Sequence, residues 1–181
     1  MKKIIKGIVL SLVAVVIVIV GGAYILPGEA KVDRAMVINV PPEKVFAIAG
    51  DMKRFNEWSP WYALDPKTTY TFEGSAGAVG QKMTWASNDP NVGKGSQTIT
   101  EIAANERIVT ELDMGEMGKA MSTMALAAVD GGTSVTWEFK AGLSGVMERW
   151  MGLLYNKWVG GDYEKGLSNL KVLAEKESPD A

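Results

Sequence analysis

The chain opens with a long uncharged segment bounded by lysines. Residues 7–26 contain no charged side chain, whereas Lys2, Lys3 and Lys6 precede them and Pro27 follows them. At about 1.5 Å of rise per residue, a helix of this length spans the roughly 30 Å hydrocarbon core of a bilayer. The pattern predicts one transmembrane helix that ends at Pro27. The lysines predict a cytoplasmic N-terminus, which places the rest of the chain on the periplasmic or extracellular side of the cell (inner) membrane.

A cleaved signal peptide is the alternative for the same segment. Gly21 and Ala23 form a small-x-small site after an apolar stretch of suitable length. Because the apolar run continues to Leu26 and no lipid-attachment cysteine follows, we favour an uncleaved single-pass anchor. Cleavage would give a secreted protein, and both alternatives export the folded part. The predicted division is an anchor or signal peptide at 1–28, one domain at 29–177 and a C-terminal tail at 178–181.

The next part of the chain alternates between apolar and polar residues with the period of β-strands. A strand is predicted at 31–40, although Arg34 interrupts its apolar face, and the prolines that follow predict a short helix at 42–49 and a further turn at 52–58. Six antiparallel strands are predicted at 68–73, 80–86, 95–103, 107–113, 119–129 and 133–140. The firmest hairpin turn is at 130–132, because Gly131 and Gly132 can adopt the positive φ of a tight connection.

Beyond residue 142 the apolar pattern takes the period of a helix. Val146, Trp150 and Leu154 fall four residues apart, and the pattern continues until Ser178. Two adjacent glycines at 160–161 each cost a helix about 1 kcal/mol relative to alanine. Either the helix bends there or another group approaches its backbone closely, and we expect one long, bent helix.

Two stretches of the domain resemble a known family. The sequence Val-Ile-Asn-Val-Pro-Pro-Glu-Lys-Val-Phe at 37–46, with Trp-Ser-Pro-Trp at 58–61, resembles the opening of the START-like polyketide cyclase/dehydrase and lipid transport family of the SRPBCC superfamily. The sequence Asp-Tyr-Glu-Lys-Gly-Leu-Ser-Asn-Leu-Lys at 162–171 resembles the end of its final helix. The resemblance covers residues 32–176 and, with the apolar first segment, suggests a membrane-anchored member. It implies an α+β helix-grip (START/Bet v 1-like) fold, in which a curved antiparallel sheet wraps a long C-terminal helix around a deep cavity for an apolar small molecule.

Composition excludes several classes of function. The chain has 19 basic and 21 acidic residues, so it lacks the basic surface that a nucleic-acid partner requires. It contains neither histidine nor cysteine, which excludes thiolate nucleophiles, Cys/His zinc sites and serine–histidine triads. Neither a calcium-loop spacing nor a nucleotide-binding fingerprint occurs. We expect no metal and no cofactor.

Few side chains remain for acid–base catalysis. Asp51, Arg54, Asp65 and Glu101 are the candidates, and each needs burial to shift its pKa. Caps, turns and surface charges are the commoner roles for such residues. No catalytic residue is therefore assigned.

The candidate site is a ligand cavity lined by large apolar side chains. Trp58 and Trp61 form an aromatic cluster that could close its mouth, and strand alternation places further side chains on the face toward the long helix. The predicted lining is Trp58, Trp61, Tyr70, Phe72, Met83, Trp85, Leu112, Trp137, Phe139, Met147, Trp150, Met151 and Leu154. Core packing is the alternative for every one of them. The abundant methionines would suit a pocket that accepts varied lipids.

Three functions are compatible with these patterns. The first is membrane-tethered binding, and possibly transport, of a lipid or other hydrophobic small molecule, with the membrane itself contacted through residues 7–26. The second is a cyclase- or dehydrase-like enzyme, which would require a charged group inside the cavity. The third is a protein-interaction module of the chaperone-activator type, which a filled core and an exposed apolar patch would favour.

Overall fold

The computed structural model describes residues 2–178, and its first element is an isolated apolar helix. Helix α1 spans Lys2–Ala23, and its apolar side chains are exposed apart from those at its C-terminal end. It is long and apolar enough to cross a membrane, although a signal sequence would meet the same criterion. The predicted tail at 178–181 lies outside the described residues except for Ser178.

The remaining elements follow the predicted order. They are β1 Glu29–Ile38, α2 Pro42–Ala49, a 3-10 helix Met52–Glu57, β2 Thr69–Glu73, β3 Lys82–Ala86, β4 Lys94–Ala103, β5 Arg107–Asp113, a second 3-10 helix Gly115–Met117, β6 Lys119–Val129, β7 Gly132–Gly142 and α3 Val146–Lys176. The bounds of each strand agree with the prediction to within two residues. The 3-10 helix at Gly115–Met117 was not predicted, because its glycine-rich sequence is equally typical of a plain loop.

The seven strands form one antiparallel sheet in the order β1-β7-β6-β5-β4-β3-β2. β1 therefore pairs with the last strand rather than the second, and it registers Val32 opposite Phe139. The register of β4 and β5 shifts between Ile99 and Glu101, and such a bulge bends a sheet locally. Asp130 and Gly131 connect β6 to β7, and Gly131 has a φ of 79°, as the hairpin prediction required. The predicted α+β helix-grip fold is confirmed.

The core lies between the sheet and the second half of α3. Tyr163, Leu167, Leu170 and Ala174 are buried at helical spacing and pack with β1, α2, β6 and β7. In the first half of α3, residues 146–159, no described side chain is fully buried. The helix therefore holds the sheet with its C-terminal half, and its N-terminal half is left largely exposed.

The two adjacent glycines of α3, Gly160 and Gly161, have different surroundings. The Arg34 guanidinium lies over Gly160, where it donates to Glu164 Oε1 at 2.5 Å and to Asn156 Oδ1 at 3.1 Å. A Cβ at position 160 would overlap that guanidinium, whereas a Cβ at Gly161 would meet open space. Of the two alternatives for these glycines, the close approach is therefore found at Gly160, and it explains why Arg34 interrupts the apolar face of β1.

Candidate functional site

A small void lies between the 3-10 helix Met52–Glu57 and the central strands of the sheet. Its volume is about 30 Å³. It is lined by Ala49, Met52, Phe55, Trp58, Gln97, Ile108, Thr110, Ser122, Met124 and Trp137. None of these ten residues carries a charge, so the lining is apolar with a few neutral polar groups.

Aromatic rings occupy most of the space beside this void. Trp137 stacks on Tyr163 with a centroid distance of 3.8 Å and an interplanar angle of 11°. Trp58 and Trp61 contact the same indole edge-on at 5.2 Å and 6.2 Å. The resemblance implied a deep cavity, but the one found at this position is narrow because three indoles and a phenol from three segments meet there.

The aromatic cluster contains a hydrogen-bonded pair of hydroxyl groups, from Ser122 and Tyr163. Ser122 Oγ accepts from Trp137 Nε1 at 2.8 Å and lies 3.3 Å from the Tyr163 hydroxyl. One hydroxyl donates to the other, and each hydroxyl carries a single proton. Because the pair has no other described acceptor, one hydroxyl proton remains free next to the void.

Two further donors in the lining have no hydrogen-bond partner within the described residues. Trp58 Nε1 and Gln97 Nε2 are both buried and unpaired, and their residues are only 2 % and 6 % exposed. A buried donor without a partner costs about 1–3 kcal/mol. The lining thus offers several donors that an acceptor oxygen would satisfy, and a void of this size has room for one water molecule or one small ligand group.

A buried glutamine supports the 3-10 helix that covers the void. Gln81 is fully buried, and its Oε1 accepts from the backbone N–H groups of Met52 at 3.2 Å and Gly77 at 2.9 Å. Its Nε2 donates to Asp51 Oδ1 at 2.6 Å, and the same carboxylate oxygen accepts from Lys53 N. Asp51, an acid–base candidate, therefore caps this helix.

The other three acid–base candidates also have structural roles. Arg54 bridges Glu57 at 2.7 Å and Glu177 at 2.5 Å, which joins the 3-10 helix to the end of α3. Asp65 accepts from Ser87 Oγ, and this hydrogen bond holds the pKa of the Asp65 carboxyl below its usual value. Glu101 pairs with Arg107 at the surface. In the described part of the chain, no three carboxylates converge as a metal site would require.

The predicted lining residues fall into four places. Trp58 and Trp137 line the void, while Trp61, Leu112 and Phe139 pack into the adjoining main core. Tyr70, Phe72, Met83 and Trp85 form a second cluster with Met52, Ile99 and Ile108. Met147, Trp150, Met151 and Leu154 lie on the exposed side of α3. Contact of all thirteen with one ligand remains a prediction, and the structure brings only two of them to the void.

Sequence reasoning missed the polar side of the lining. Gln97, Thr110 and Ser122 occupy inward positions of three consecutive strands, and each alternates with a buried apolar neighbour. A polar residue at an inward position was the signal that could have found them. Alternation places Thr110 on the same inward face as Leu112, but the predicted lining was selected by hydrophobicity, which passes over such residues.

Comparison with known proteins identifies the family of the domain. Residues 29–175 match the family model described as polyketide cyclase / dehydrase and lipid transport. The chain belongs to this family. A search of curated proteins finds no match. The family assignment therefore rests on the domain, from the start of β1 to the last turn of α3.

Solved structures of the same fold have low sequence identity to this family member. A protein of unknown function from Staphylococcus aureus aligns with a TM-score of 0.65 at 10% identity, over 84% of this chain and 97% of its own. The di-domain ARO/CYC StfQ of the steffimycin biosynthetic pathway aligns with a TM-score of 0.62 at 10% identity, over 83% of this chain and 52% of its own. Ara h 8.0201 aligns with a TM-score of 0.59 at 16% identity, over 82% of this chain and 99% of its own. At these identities the likeness shows the fold alone.

The buried tyrosine of the site predicts a loss of stability in alkali. Burial raises the pKa of Tyr163 above its ordinary value of about 10. Above pH 10 the unfolded chain releases this proton before the folded one does, so the free energy of unfolding falls by up to about 1.4 kcal/mol per pH unit from this group. Urea unfolding of the detergent-solubilised protein at pH 9, 10 and 11 measures the slope. Tyr163→Phe should remove that contribution, and an unchanged slope would contradict the assignment.

Proposed function

We propose that this protein is a single-span, membrane-tethered binder of a lipid or another apolar molecule that carries an acceptor oxygen. The ligand occupies the space between the sheet and α3, on the periplasmic or outer side of the membrane. The observation that carries the proposal is the pair of buried, unpartnered donors, Trp58 Nε1 and Gln97 Nε2, in an otherwise apolar lining. An acceptor oxygen of a ligand would recover the free energy that these donors lose on burial.

The apolar first helix supports the tether. Residues 7–26 are uncharged and their side chains are almost all exposed, which is costly in water and favourable in a bilayer. A lipid leaves the bilayer at a high free-energy cost. A binding domain held next to the headgroups meets that lipid at a higher effective concentration, and a tether is therefore useful for this function.

Binding requires the void to widen, because about 30 Å³ is too small for an acyl chain. The side chains that would move are Met52 and Phe55 on the 3-10 helix Met52–Glu57, opposite Met124 on β6. Methionine side chains repack at low cost because they are unbranched and polarisable. Their movement would join the void to the aromatic cluster and give a ligand-sized cavity, while Gln81 and Arg54 keep the helix itself in place.

The lining favours binding over catalysis. The ten residues around the void contribute an amide, two hydroxyls and two indole N–H groups but no carboxylate, amine or guanidinium. Burial raises the pKa of the nearby Tyr163, so its hydroxyl is a weak proton donor at neutral pH. Donors of this kind orient an oxygen atom without transferring a proton to it.

Native mass spectrometry of the full chain, extracted in mild detergent from its own membrane, tests this proposal. We expect a reproducibly bound lipid. In titrations, dodecanoic acid should bind more tightly than dodecylamine, which carries no acceptor oxygen. Gln97→Met should weaken the binding of dodecanoic acid about tenfold, which is equivalent to roughly 1.4 kcal/mol for one lost hydrogen bond. Thr100→Ala, an exposed change on the same strand, is the control and should leave binding unchanged.

Two outcomes would overturn the proposal. A preparation without bound lipid that also fails to take up dodecanoic acid would favour the protein-interaction module, for which a filled core is expected. A covalently altered ligand would favour the enzyme. Equal binding by the Gln97→Met variant would leave a lipid site but refute the role of its donors.

A further inference from the structure

The first half of α3 carries an apolar stripe on the side that faces away from the core. We use the name outer stripe for five exposed residues of this segment, which are Met147, Trp150, Met151, Leu154 and Trp158. They recur at intervals of three and four, so they share one face of the helix. The core residues Tyr163, Leu167 and Leu170 lie on the opposite face. The helix is thus apolar on two sides, and the described part of the protein covers only one of them.

The outer stripe begins beside the end of α1. Trp150 Nε1 donates to the carbonyl of Ile19 at 3.0 Å, and the Trp150 ring lies where a side chain at Gly22 would stand. Arg149 Nη1 donates to the carbonyls of Ala23 at 3.3 Å and Leu26 at 3.2 Å. A carbonyl at the C-terminus of a helix is a favourable partner for a cation, and Ala23 is the last residue of α1. These contacts join the two helices where the apolar segment ends.

The level of this joint relative to a membrane follows from helix geometry. Ile19 precedes the last residue of α1 by four positions, which corresponds to about 6 Å along the axis. If α1 spans the bilayer, Trp150 lies just inside the outer end of the span and Arg149 lies at that end. Tryptophan and arginine are typical of these respective depths at a membrane–water interface.

We propose that the outer stripe of α3 inserts into the outer leaflet of the bilayer, at the boundary between headgroups and acyl chains. This proposal rests on the membrane tether proposed above. Lipid is the occupant because the stripe is continuous with the exposed apolar surface of α1, which lipid already surrounds. A protein partner would have to displace that lipid to reach Trp150.

Two of the three charged side chains of residues 146–159 are directed to other groups, and the third, Lys157, is exposed. Glu148 accepts from the backbone N–H groups of Ser144 and Gly145 at 2.7 Å and 2.9 Å, which caps α3. Arg149 is held by the end of α1 and by the Leu143 carbonyl. Past Gly161 the outer face becomes polar, with exposed Lys165 and Ser168. The apolar stripe therefore ends where the helix turns its opposite face into the core, as expected if the helix leaves the membrane surface there.

The chain lacks cysteine, so one introduced thiol can carry a fluorescent NBD label at a chosen depth. Leu154→Cys places the label in the outer stripe. Val172→Cys is the matched control, because Val172 is exposed and lies about five turns further along the same face. Val13→Cys reports on the middle of α1. The full-length variants are reconstituted into vesicles of phosphatidylcholine and phosphatidylglycerol, and quenching by doxyl-labelled lipid and by aqueous iodide is measured.

We expect lipid to quench the labels at 154 and 13, and iodide quenching at 154 to be about fivefold weaker than at 172. Equal iodide quenching at 154 and 172 would overturn the proposal while leaving the tether intact. A label at 154 that is shielded from iodide but not quenched by lipid would show a second copy or another protein on the stripe, and would also overturn it. A label at 13 that lipid does not quench would refute the tether and the stripe insertion together.

Discussion

Replacement of Trp137 by alanine is expected to lower the free energy of unfolding by about 4 kcal/mol, because a buried tryptophan reduced to alanine leaves a cavity that its neighbours fill only in part. The indole is only 5 % exposed. It stacks on Tyr163, contacts Trp58 and donates to Ser122 Oγ. Its loss therefore removes dispersion contacts and also leaves Ser122 with fewer hydrogen bonds.

The same change should create a binding cavity. Indole added to the Trp137→Ala variant can refill the space and restore the hydrogen bond to Ser122, so it should raise the midpoint of urea unfolding in a concentration-dependent way. Apolar cavities of about 150 Å³ are known to accept benzene-sized ligands. Circular dichroism of the detergent-solubilised chain measures both effects.

The control for this prediction is an exposed tryptophan. Trp158 is 49 % exposed on the outer side of α3, so Trp158→Ala should cost less than about 1 kcal/mol in detergent. Indole should not stabilise that variant. A loss below about 1 kcal/mol for Trp137→Ala would mean that the aromatic cluster is not a major source of stability.

Replacement of Gly132 by alanine is expected to cost about 3 kcal/mol, at the upper end of overpacking effects. The added methyl group would overlap the carbonyl oxygen of Ile38 and approach Asn39 Cα to 2.9 Å. Both atoms belong to the backbone, so no rotamer change relieves the contact. The neighbouring Thr133 Oγ1 donates to the Val40 carbonyl at 2.7 Å, which further fixes the chain at this crossing.

Gly142, at the other end of β7, provides the control for Gly132. A methyl group at Gly142 would meet open space, and alanine there should leave the free energy of unfolding unchanged or raise it slightly. Urea unfolding of the two variants beside the parent chain gives the comparison. Equal stabilities for Gly132→Ala and Gly142→Ala would show that the end of β1 can move away from β7 without cost.

The strands were predictable because each depends on a local pattern. Alternation sets which face of a strand is apolar, and turn residues such as Gly131 set where it ends. The volume of the cavity was not predictable, because it depends on how rings from distant positions meet. Trp58, Trp137 and Tyr163 come from three elements that are far apart in the sequence, and no local pattern encodes the 3.8 Å stack.

The assignment of α3 shows a second limit of sequence reasoning. The four-residue spacing of Val146, Trp150 and Leu154 predicted a helix, and α3 does begin at Val146. The same spacing was taken to point into the cavity, but Trp150 and Leu154 lie on the exposed side. A helix that is apolar on two faces gives no preference between them, and only tertiary contacts decide which face enters the core.

The contacts of Arg149 with the carbonyls of Ala23, the last residue of α1, and of Leu26 have a mechanical consequence. These two hydrogen bonds and the short connection at 24–28 limit the rotation of the domain relative to the axis of α1, whereas a flexible linker alone would not. An apolar helix longer than the local bilayer tilts to match its thickness. If α1 spans a bilayer as proposed, a change in membrane thickness that tilts α1 would therefore change the orientation of the whole domain, and the direction in which its cavity opens would follow the lipid composition of the surrounding bilayer.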